Sequence, residues 1–504
     1  MSTSAAPVYD LAIIGGGING AGIARDAAGR GLRVVLLEKD DLASHTSGWS
    51  TKLIHGGLRY LEYYEFRLVA ESLAEREVLL AAAPHIIEPL QFVLPHEPHL
   101  RPAWMIRAGL FLYDHIGGQR SLPSSFAVEL QANGWGAGLK PKFRKGFVYS
   151  DARVDDARLV VINAMAARER GATILPRTQM THARRDSGLW RVQTRDARGE
   201  QAEVRARALV NATGPWVKRV HDQATAAAGK EGVRHVKGSH IVVPRVHSEK
   251  HAYILQNADK RIVFVIPYQQ EFSLIGTTDI PVEQYEAPRI SDDEIVYLCA
   301  IASAYLEHPI TPADVVWTYS GVRPLYDDGS SDPSAVTRDY VLKLDGGGDS
   351  GAPLLSIFGG KITTYRRLAE EVLLKLTPYF PDMGRPWTRD QPLPGGDVPR
   401  GDLAAYARSL AALYPELPAE YRDALLHRHG TRTTRVLGEA KTTADLGRHF
   451  GHTLYAAEVD YFVAQEWARS AEDVLWRRTK CGLHLDSAQR QAVAVYLLEQ
   501  YGFR

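Results

Sequence analysis

The stretch Val8-Tyr9-Asp10-Leu11-Ala12-Ile13-Ile14-Gly15-Gly16-Gly17-Ile18-Asn19-Gly20 decides the fold. An apolar run of strand length leads directly into G-x-G-x-x-G. An Ala-rich helix over Gly20–Gly29 and a second strand over Arg33–Leu37 follow, so the segment reads as a β-α-β unit. Each glycine has a task. Gly15 permits a tight turn, Gly17 lets the backbone approach a pyrophosphate, and Gly20 lets the helix pack closely on the strand. The helix N-terminus, with Asn19 just before it, offers N–H donors and the positive end of a dipole. Glu38 ends the second strand eighteen positions beyond Gly20, where an acid accepts hydrogen bonds from an adenosine ribose. A carboxylate there opposes the 2′-phosphate of NADP. The motif alone does not separate NAD from FAD.

Two further glycine turns favour FAD: Asn211-Ala212-Thr213-Gly214-Pro215 after a strand, and Phe358-Gly359-Gly360-Lys361-Ile362-Thr363-Thr364-Tyr365 at the start of a helix-like segment. Such turns bring backbone amides against a flavin ring or its diphosphate. The hydroxyl-rich stretch Ser44–Ser50, including Thr46, Ser47 and Ser50, suits FAD phosphates or ribityl. Taken singly, each of these is equally a structural turn.

A chain of 504 residues exceeds a single core and calls for two or three domains. Lys and Arg total 60 against 59 acids, so no global field points to nucleic acid. Two cysteines, Cys299 and Cys481, are too few for a disulfide framework and suit a reducing compartment. Met1–Pro7 lacks an apolar signal core and no apolar run is long enough to span a bilayer, so the expected location is cytoplasmic, with any membrane contact peripheral. Further strands are expected at Ala208–Val210, Arg261–Pro267, Phe272–Gly276, Tyr340–Leu344 and Leu354–Phe358, with Asp345–Gly351 as a hairpin loop. Beyond a Pro/Gly-rich boundary at Pro386–Gly401, amphipathic helices are expected at Leu403–Leu413, Pro418–His427 and Glu458–Arg469. His96/His99 and His427/His429 lack a third ligand nearby, so no metal is expected.

With Thr51-Lys52-Leu53-Ile54-His55-Gly56-Gly57-Leu58-Arg59-Tyr60-Leu61, Ser150–Leu159, Asn211–Trp216, Lys237-Gly238-Ser239-His240, Gly276-Thr277-Thr278-Asp279, Ser320-Gly321-Val322-Arg323-Pro324 and Phe358–Arg366 added to the glycine motif, the chain resembles the FAD-dependent, respiratory glycerol-3-phosphate dehydrogenases. The match runs in order from about Tyr9 into the C-terminal helices. The resemblance implies an α/β fold with a glutathione-reductase-type FAD-binding Rossmann domain, an antiparallel-sheet substrate domain and a helical C-terminal domain. The expected division is a discontinuous FAD-binding part (about 1–75, 146–220 and 325–385), an interleaved substrate part (about 76–145 and 221–324) and a C-terminal domain (386–504). It implies noncovalent FAD, with Lys52, His55, Gly56 and Gly57 among its contacts. The activity implied is oxidation of sn-glycerol 3-phosphate to dihydroxyacetone phosphate by hydride transfer to flavin N5. Electrons then pass to a membrane quinone from a homodimer on the inner face of the cytoplasmic membrane.

A phosphate dianion calls for guanidinium and ammonium donors, and the resemblance places Arg59, Tyr60, Arg323, Arg338 and Lys361 at the substrate. His240 is the first choice of general base for the C2 hydroxyl, with Lys361 or Arg323 steering alkoxide and phosphate. An oxygen-using glycerol-3-phosphate oxidase shares every one of these motifs. An FAD amine or amino-acid oxidase would need fewer cations, and a non-catalytic flavoprotein would not need them at all. Two stretches are candidates for lipid contact: the apolar, aromatic Arg101–Tyr113 and the basic Lys140–Lys145. An apolar character nearly all round a helix is equally the mark of a buried segment.

Overall fold

The computed structural model describes residues 7–97, 102–118, 120–225, 232–257, 259, 261–327, 339–346 and 351–503. The strand Val8–Ile14 lies at the centre of one sheet, whose order is Val341–Asp345, Leu354–Phe358, Gln201–Asn211, Val8–Ile14, Val34–Leu37, Thr173–Leu175. All neighbours in that series are parallel except the edge pair Val341–Asp345 with Leu354–Phe358. The interior of the loop expected between those two strands lies outside the described residues. Side chains alternate across the central strand. Leu11 and Ile13 enter a core with the helices Ile18–Gly29, Asp156–Arg168 and Tyr365–Leu376, while Ala12 and Ile14 face the antiparallel strands Thr178–Asp186 and Leu189–Asp196. Burial on both faces is why this strand reads as an unbroken apolar run. The first helix begins at Ile18, two residues earlier than its sequence suggests, with Gly17 as N-cap.

A second, larger sheet runs Ile280–Pro281, Gly232–Pro244, Phe272–Gly276, Ile262–Tyr268, Ala252–Gln256, Ile87–Pro95, Lys145–Val154, Leu53–Ile54, with Trp317–Asp327 also pairing with Gly232–Pro244. It is antiparallel apart from Ala252–Gln256 beside Ile87–Pro95. The helix Asp292–Tyr305 covers one face; the helices Phe66–Ala82 and Ala103–Ile116 contribute to the other. Lys145–Val154 and Leu53–Ile54 hydrogen-bond within this second sheet, although the division made from sequence groups 146–154 and 53–54 with the first. The helices Leu403–Leu413, Ala419–His429, Ala456–Glu466 and Ser487–Tyr501 form the C-terminal layer. Its Leu425, Val459, Phe462 and Val474 join the same hydrophobic cluster as Ile23, Val160 and Leu373, so no solvent gap separates this layer from the first sheet's helices.

One of the tightest joints is at the start of the chain. A Cβ on Gly20 would stand 1.9 Å from the Gly15 carbonyl oxygen, and one on Gly15, at φ +111°, would stand 2.4 Å from the Ala212 carbonyl oxygen. Both obstacles are backbone and cannot swing aside. Gly20→Ala should therefore force helix and strand apart, costing about 1–3 kcal/mol of stability. Thermal unfolding should record that loss, and FAD retained per chain after gel filtration should fall with it.

Candidate active site

A cavity of about 360 Å³ opens at the C-terminal ends of the parallel strands and extends to the second sheet. Gly15, Gly17, Asn19, Glu38, Thr46, Ser47, Ser50, His55, Tyr60, Ala212, Gly214, His240, Arg323, Gly359, Gly360, Lys361 and Thr363 all line it. These residues come from both sheets and are brought to one space by the fold.

At one end the glycine turn is set for an anionic diphosphate. The Gly16 N–H donates to Glu38 Oε2 at 2.6 Å and the Asp40 N–H to Oε1 at 2.9 Å, leaving the carboxylate further lone pairs for ribose hydroxyls. The Ile18 N–H donates to Ser47 Oγ at 3.0 Å, which ties the hydroxyl-rich loop to the helix N-terminus. Asn19 Nδ2 donates to the Gly359 carbonyl at 3.3 Å, and a Cβ on Gly360 would meet that amide at 2.8 Å. The two glycine turns thus close on each other, leaving no room for side chains where a cofactor's backbone-facing groups would lie. Glu38, Asp40 and His45 lie close enough to share an ion, and His45 Nε2 is 2.7 Å from Asp40 Oδ2.

At the other end, His240 sits in the strand Gly232–Pro244 between Gly276 and Tyr319 of the flanking strands. Its ring stacks on Tyr319 with centroids 4.7 Å apart, and Gly276 is needed beside it, since a Cβ there would strike the imidazole at 2.1 Å. Nε2 lies 3.0 Å from Thr51 Oγ1; Nδ1 has no hydrogen-bond partner among the described residues. Burial, reinforced by the charges of Lys52 and Arg323, lowers its pKa to about 3. His240 is therefore uncharged at neutral pH. His55, also lining the cavity, has its pKa lowered by burial in the same way, and its backbone N–H donates to Thr363 Oγ1 at 3.2 Å.

The strand bearing His240 is held from behind. Glu294 accepts from Lys237 Nζ at 2.7 Å and from Ser239 Oγ and Thr278 Oγ1 at 2.8 Å each, and it completes a capping box with Ser291. Burial pushes this carboxyl up, yet the donors, Lys237 foremost, carry it below its ordinary range. One acid thus clamps both Lys237–His240 and Gly276–Asp279.

Two cations reach the same end. Lys361 Nζ lies 3.9 Å over the Tyr60 ring. Arg323 Nη2 pairs with Asp279 Oδ1 at 2.9 Å, with both side chains about half exposed. Such a pair is worth roughly 0–1 kcal/mol, whereas charge-assisted bonds to a phosphate bring about 1.5–3 kcal/mol each. Asp279 therefore does not lock Arg323 away from an anion.

Other candidates fall elsewhere. Arg59 does not line the cavity: its Nη2 donates to Tyr63 OH at 3.3 Å, one turn along the 3₁₀ segment Leu58–Tyr63. Lys52 is buried behind the wall, where Nζ bonds Asp156 at 2.7 Å and the Gly48 carbonyl at 3.1 Å. Gly20, Gly56 and Gly57 shape the wall without lining it: Gly56 donates its N–H to Tyr113 OH at 2.9 Å, and Gly57, at φ +78°, turns the chain into Leu58–Tyr63. Arg338 lies outside the described residues. Thr178, Gln179, Met180 and Arg219 line the cavity but carry no motif of their own; Thr51, Trp216 and Thr277 also line it and lie in the blocks that match the family. Thr178 reaches it because its N–H bonds the Glu38 carbonyl at 2.7 Å, a pairing across 140 positions.

Comparison with known proteins gives the family. Residues 10–366 match the family model described as FAD dependent oxidoreductase, and residues 386–502 match the C-terminal domain of alpha-glycerophosphate oxidase. The chain belongs to the FAD-dependent oxidoreductase family. Aerobic glycerol-3-phosphate dehydrogenase of Escherichia coli (strain K12) is 54% identical over 493 residues, 97% of each chain. D-erythritol 1-phosphate dehydrogenase of Brucella abortus (strain 2308) is 54% identical over 485 residues, 96% of each. The X-ray structure of glycerol-3-phosphate dehydrogenase from Bacillus halodurans complexed with FAD aligns with a TM-score of 0.78 at 27% identity, covering all of this chain and 92% of that one. This flavoenzyme uses FAD, and the donor chemistry of the glycine turns, Glu38, Ser47 and Asn19 fits the cofactor's diphosphate and ribose.

Burying an uncharged histidine carries a pH signature. The unfolded chain takes up a proton near pH 6.5 that the folded chain refuses until about pH 3, so stability is full above the unfolded value and falls as pH drops below it. At pH 5 the loss from His240 alone should be roughly 2 kcal/mol. His240→Asn should flatten urea-derived stability between pH 7 and 5 by that amount.

Proposed function

We propose that this flavoenzyme oxidises sn-glycerol 3-phosphate to dihydroxyacetone phosphate, with hydride passing from C2 to flavin N5 and the electrons going on to a membrane quinone. The observation that carries the reading is the convergence of uncharged His240 with Lys361 and Arg323 at one end of the cofactor cavity. A phosphorylated secondary alcohol needs those two things together: a proton acceptor for its hydroxyl and cations for its dianion. Bound FAD supplies the hydride acceptor. His240, hydrogen-bonded through Nε2 to Thr51 Oγ1, takes up the C2 hydroxyl proton. Arg323 exchanges Asp279 for a phosphate oxygen, and Lys361, held over Tyr60, faces the alkoxide or the phosphate. Stacking on Tyr319 and the Glu294 clamp keep the imidazole oriented. The similarity to D-erythritol 1-phosphate dehydrogenase supports a second substrate, since that polyol phosphate presents the same hydroxyl beside a phosphomonoester.

The reading includes a membrane surface. No helix among the described residues is long and apolar enough to cross a bilayer. Of the two candidate stretches, the helix Ala103–Ile116 buries only Leu110 and Tyr113 and leaves Trp104 70% and Phe111 61% exposed, with Met105 and Leu112 beside them. The neighbouring turn adds Tyr63, Tyr64 and Phe66. The basic stretch instead packs on its own chain: Phe143 is buried against Tyr305, and Lys140 Nζ bonds the Ser303 carbonyl at 2.7 Å. The aromatic patch is the better match for a lipid interface.

Anaerobic mixing with sn-glycerol 3-phosphate should bleach the flavin absorbance, and a soluble quinone should restore it faster than oxygen does. No bleaching with glycerol 3-phosphate but bleaching with D-erythritol 1-phosphate would move the substrate; fast recovery with oxygen would make the enzyme an oxidase. Arg323→Ala should raise KM about tenfold or more while FAD stays bound, and an unchanged KM would remove Arg323 from the phosphate site. Trp104→Glu with Phe111→Glu should abolish sedimentation with anionic vesicles, and undiminished binding would place the lipid contact elsewhere.

A further inference from the structure

We infer that the C-terminal layer is a working part of the cofactor site, with Arg478 as its principal positioning residue. This rests on FAD occupying the cavity and not on which alcohol is oxidised.

The chain between Glu38 and Ser47 forms the wall at the adenosine end, and Asp41 lies in the middle of it, 4% exposed. Its carboxylate points away from the cavity into the C-terminal layer. There it accepts from Arg478 Nη1 at 2.6 Å and Nη2 at 2.9 Å, and from Arg477 Nε at 2.7 Å. A third guanidinium, that of Arg177, stands 3.6 Å from Asp41. Arg177 precedes Thr178–Met180, which also line the cavity, and its N–H donates to the Asp40 carbonyl at 2.8 Å. Its side chain in turn reaches the C-terminal layer, donating to the Trp467 carbonyl at 3.1 Å and pairing with Asp473.

A second arm reaches towards Ser50. Lys480 Nζ lies 3.2 Å from Asp155 Oδ1, and Asp155 caps the helix Asp156–Arg168. Its neighbour Asp156 accepts from Ser50 Oγ at 2.8 Å and from Lys52 Nζ at 2.7 Å. Arg477, Arg478 and Lys480 all come from one short piece of chain, the π-helical turn Asp473–Arg478 and the residues just after it. A π-turn places consecutive side chains on bearings that a regular α-turn does not, and here both arginines meet one carboxylate.

A buried carboxylate that loses its bidentate guanidinium, with one Arg477 bond and the more distant Arg177 left, is under-compensated and shifts towards water or towards its remaining partners. Asp41 lies three positions from Glu38 on one side and five from Thr46 on the other, so its displacement carries the wall with it. Arg478 thus acts on FAD through Asp41, without touching the cofactor.

The test uses purified holoenzyme and follows FAD fluorescence as cofactor is released on dilution. Arg478→Met should release FAD about tenfold faster than the parent or more, and Arg478→Lys, which keeps the charge, should recover part of the difference. Arg432→Met is the control, because Arg432 pairs with Glu169 at 2.9 Å across the same two layers but at the far end of the helix Asp156–Arg168. It should leave the release rate unchanged. Equal release from parent and Arg478→Met would overturn the proposal, as would equal acceleration in both Met variants, which would mean general loosening of the layers. Should Arg478→Met fail to fold, Arg477→Gln leaves Arg478 on Asp41 and should still release FAD about threefold faster; an unchanged rate there would also overturn it.

Discussion

The contact on which the rest of the molecule depends is that of Gly20 against the Gly15 carbonyl. It sets the distance between the first strand and the first helix, and so the place where the helix's free N–H groups stand. From that fixed point Glu38 is reached through the Gly16 N–H, Ser47 through the Ile18 N–H, and Gly359 through the Asn19 amide. The cavity wall is therefore a set of loops referred to one helix end. A shift of that end would be felt in all of them at once.

Charge is handled differently at the two ends of the cavity. At the cofactor end the chain supplies backbone donors and dipoles, which need no counter-ion. At the substrate end it supplies two cations close to a histidine that burial keeps neutral. Burial foremost, then the charges of Lys52 and Arg323, makes protonation of His240 harder, and the dianion of the proposed substrate would offset the Arg323 charge. On the proposed reading, Arg323 would thus serve twice, keeping the imidazole neutral before substrate arrives and pairing with its phosphate afterwards.

What is legible in the sequence follows the range of the interactions. The glycine motif, its helix and Glu38 belong to one local unit, and strand, turn and spacing announce it together. His240 and Lys361 stand out only through blocks of residues that match a family, since a lone histidine or lysine carries no such information. Thr178–Met180 escape a sequence reading because nothing local marks them; pairing with the Glu38 strand end alone brings them to the wall. Arg59 and Lys52 differ again, since neither lines the cavity in this structure. Both lie in a functional block, but a basic residue in such a block is as readily spent on structure, here on Tyr63 and on Asp156.

The aromatic helix makes the same point about periodicity. Apolar side chains all round Ala103–Ile116 suit burial or an apolar surface equally, and only packing tells which. Phe66–Ala82 supplies a partner for one side, through Leu73 beside Leu110 and Tyr113, and no described element covers Trp104 or Phe111. Leaving that much aromatic surface in water is costly, at about 25 cal/mol for each Å². The helix is held by Leu110 and Tyr113, and the bilayer interface proposed above, which accepts tryptophan and tyrosine rings together, would remove that cost without any further change in the fold.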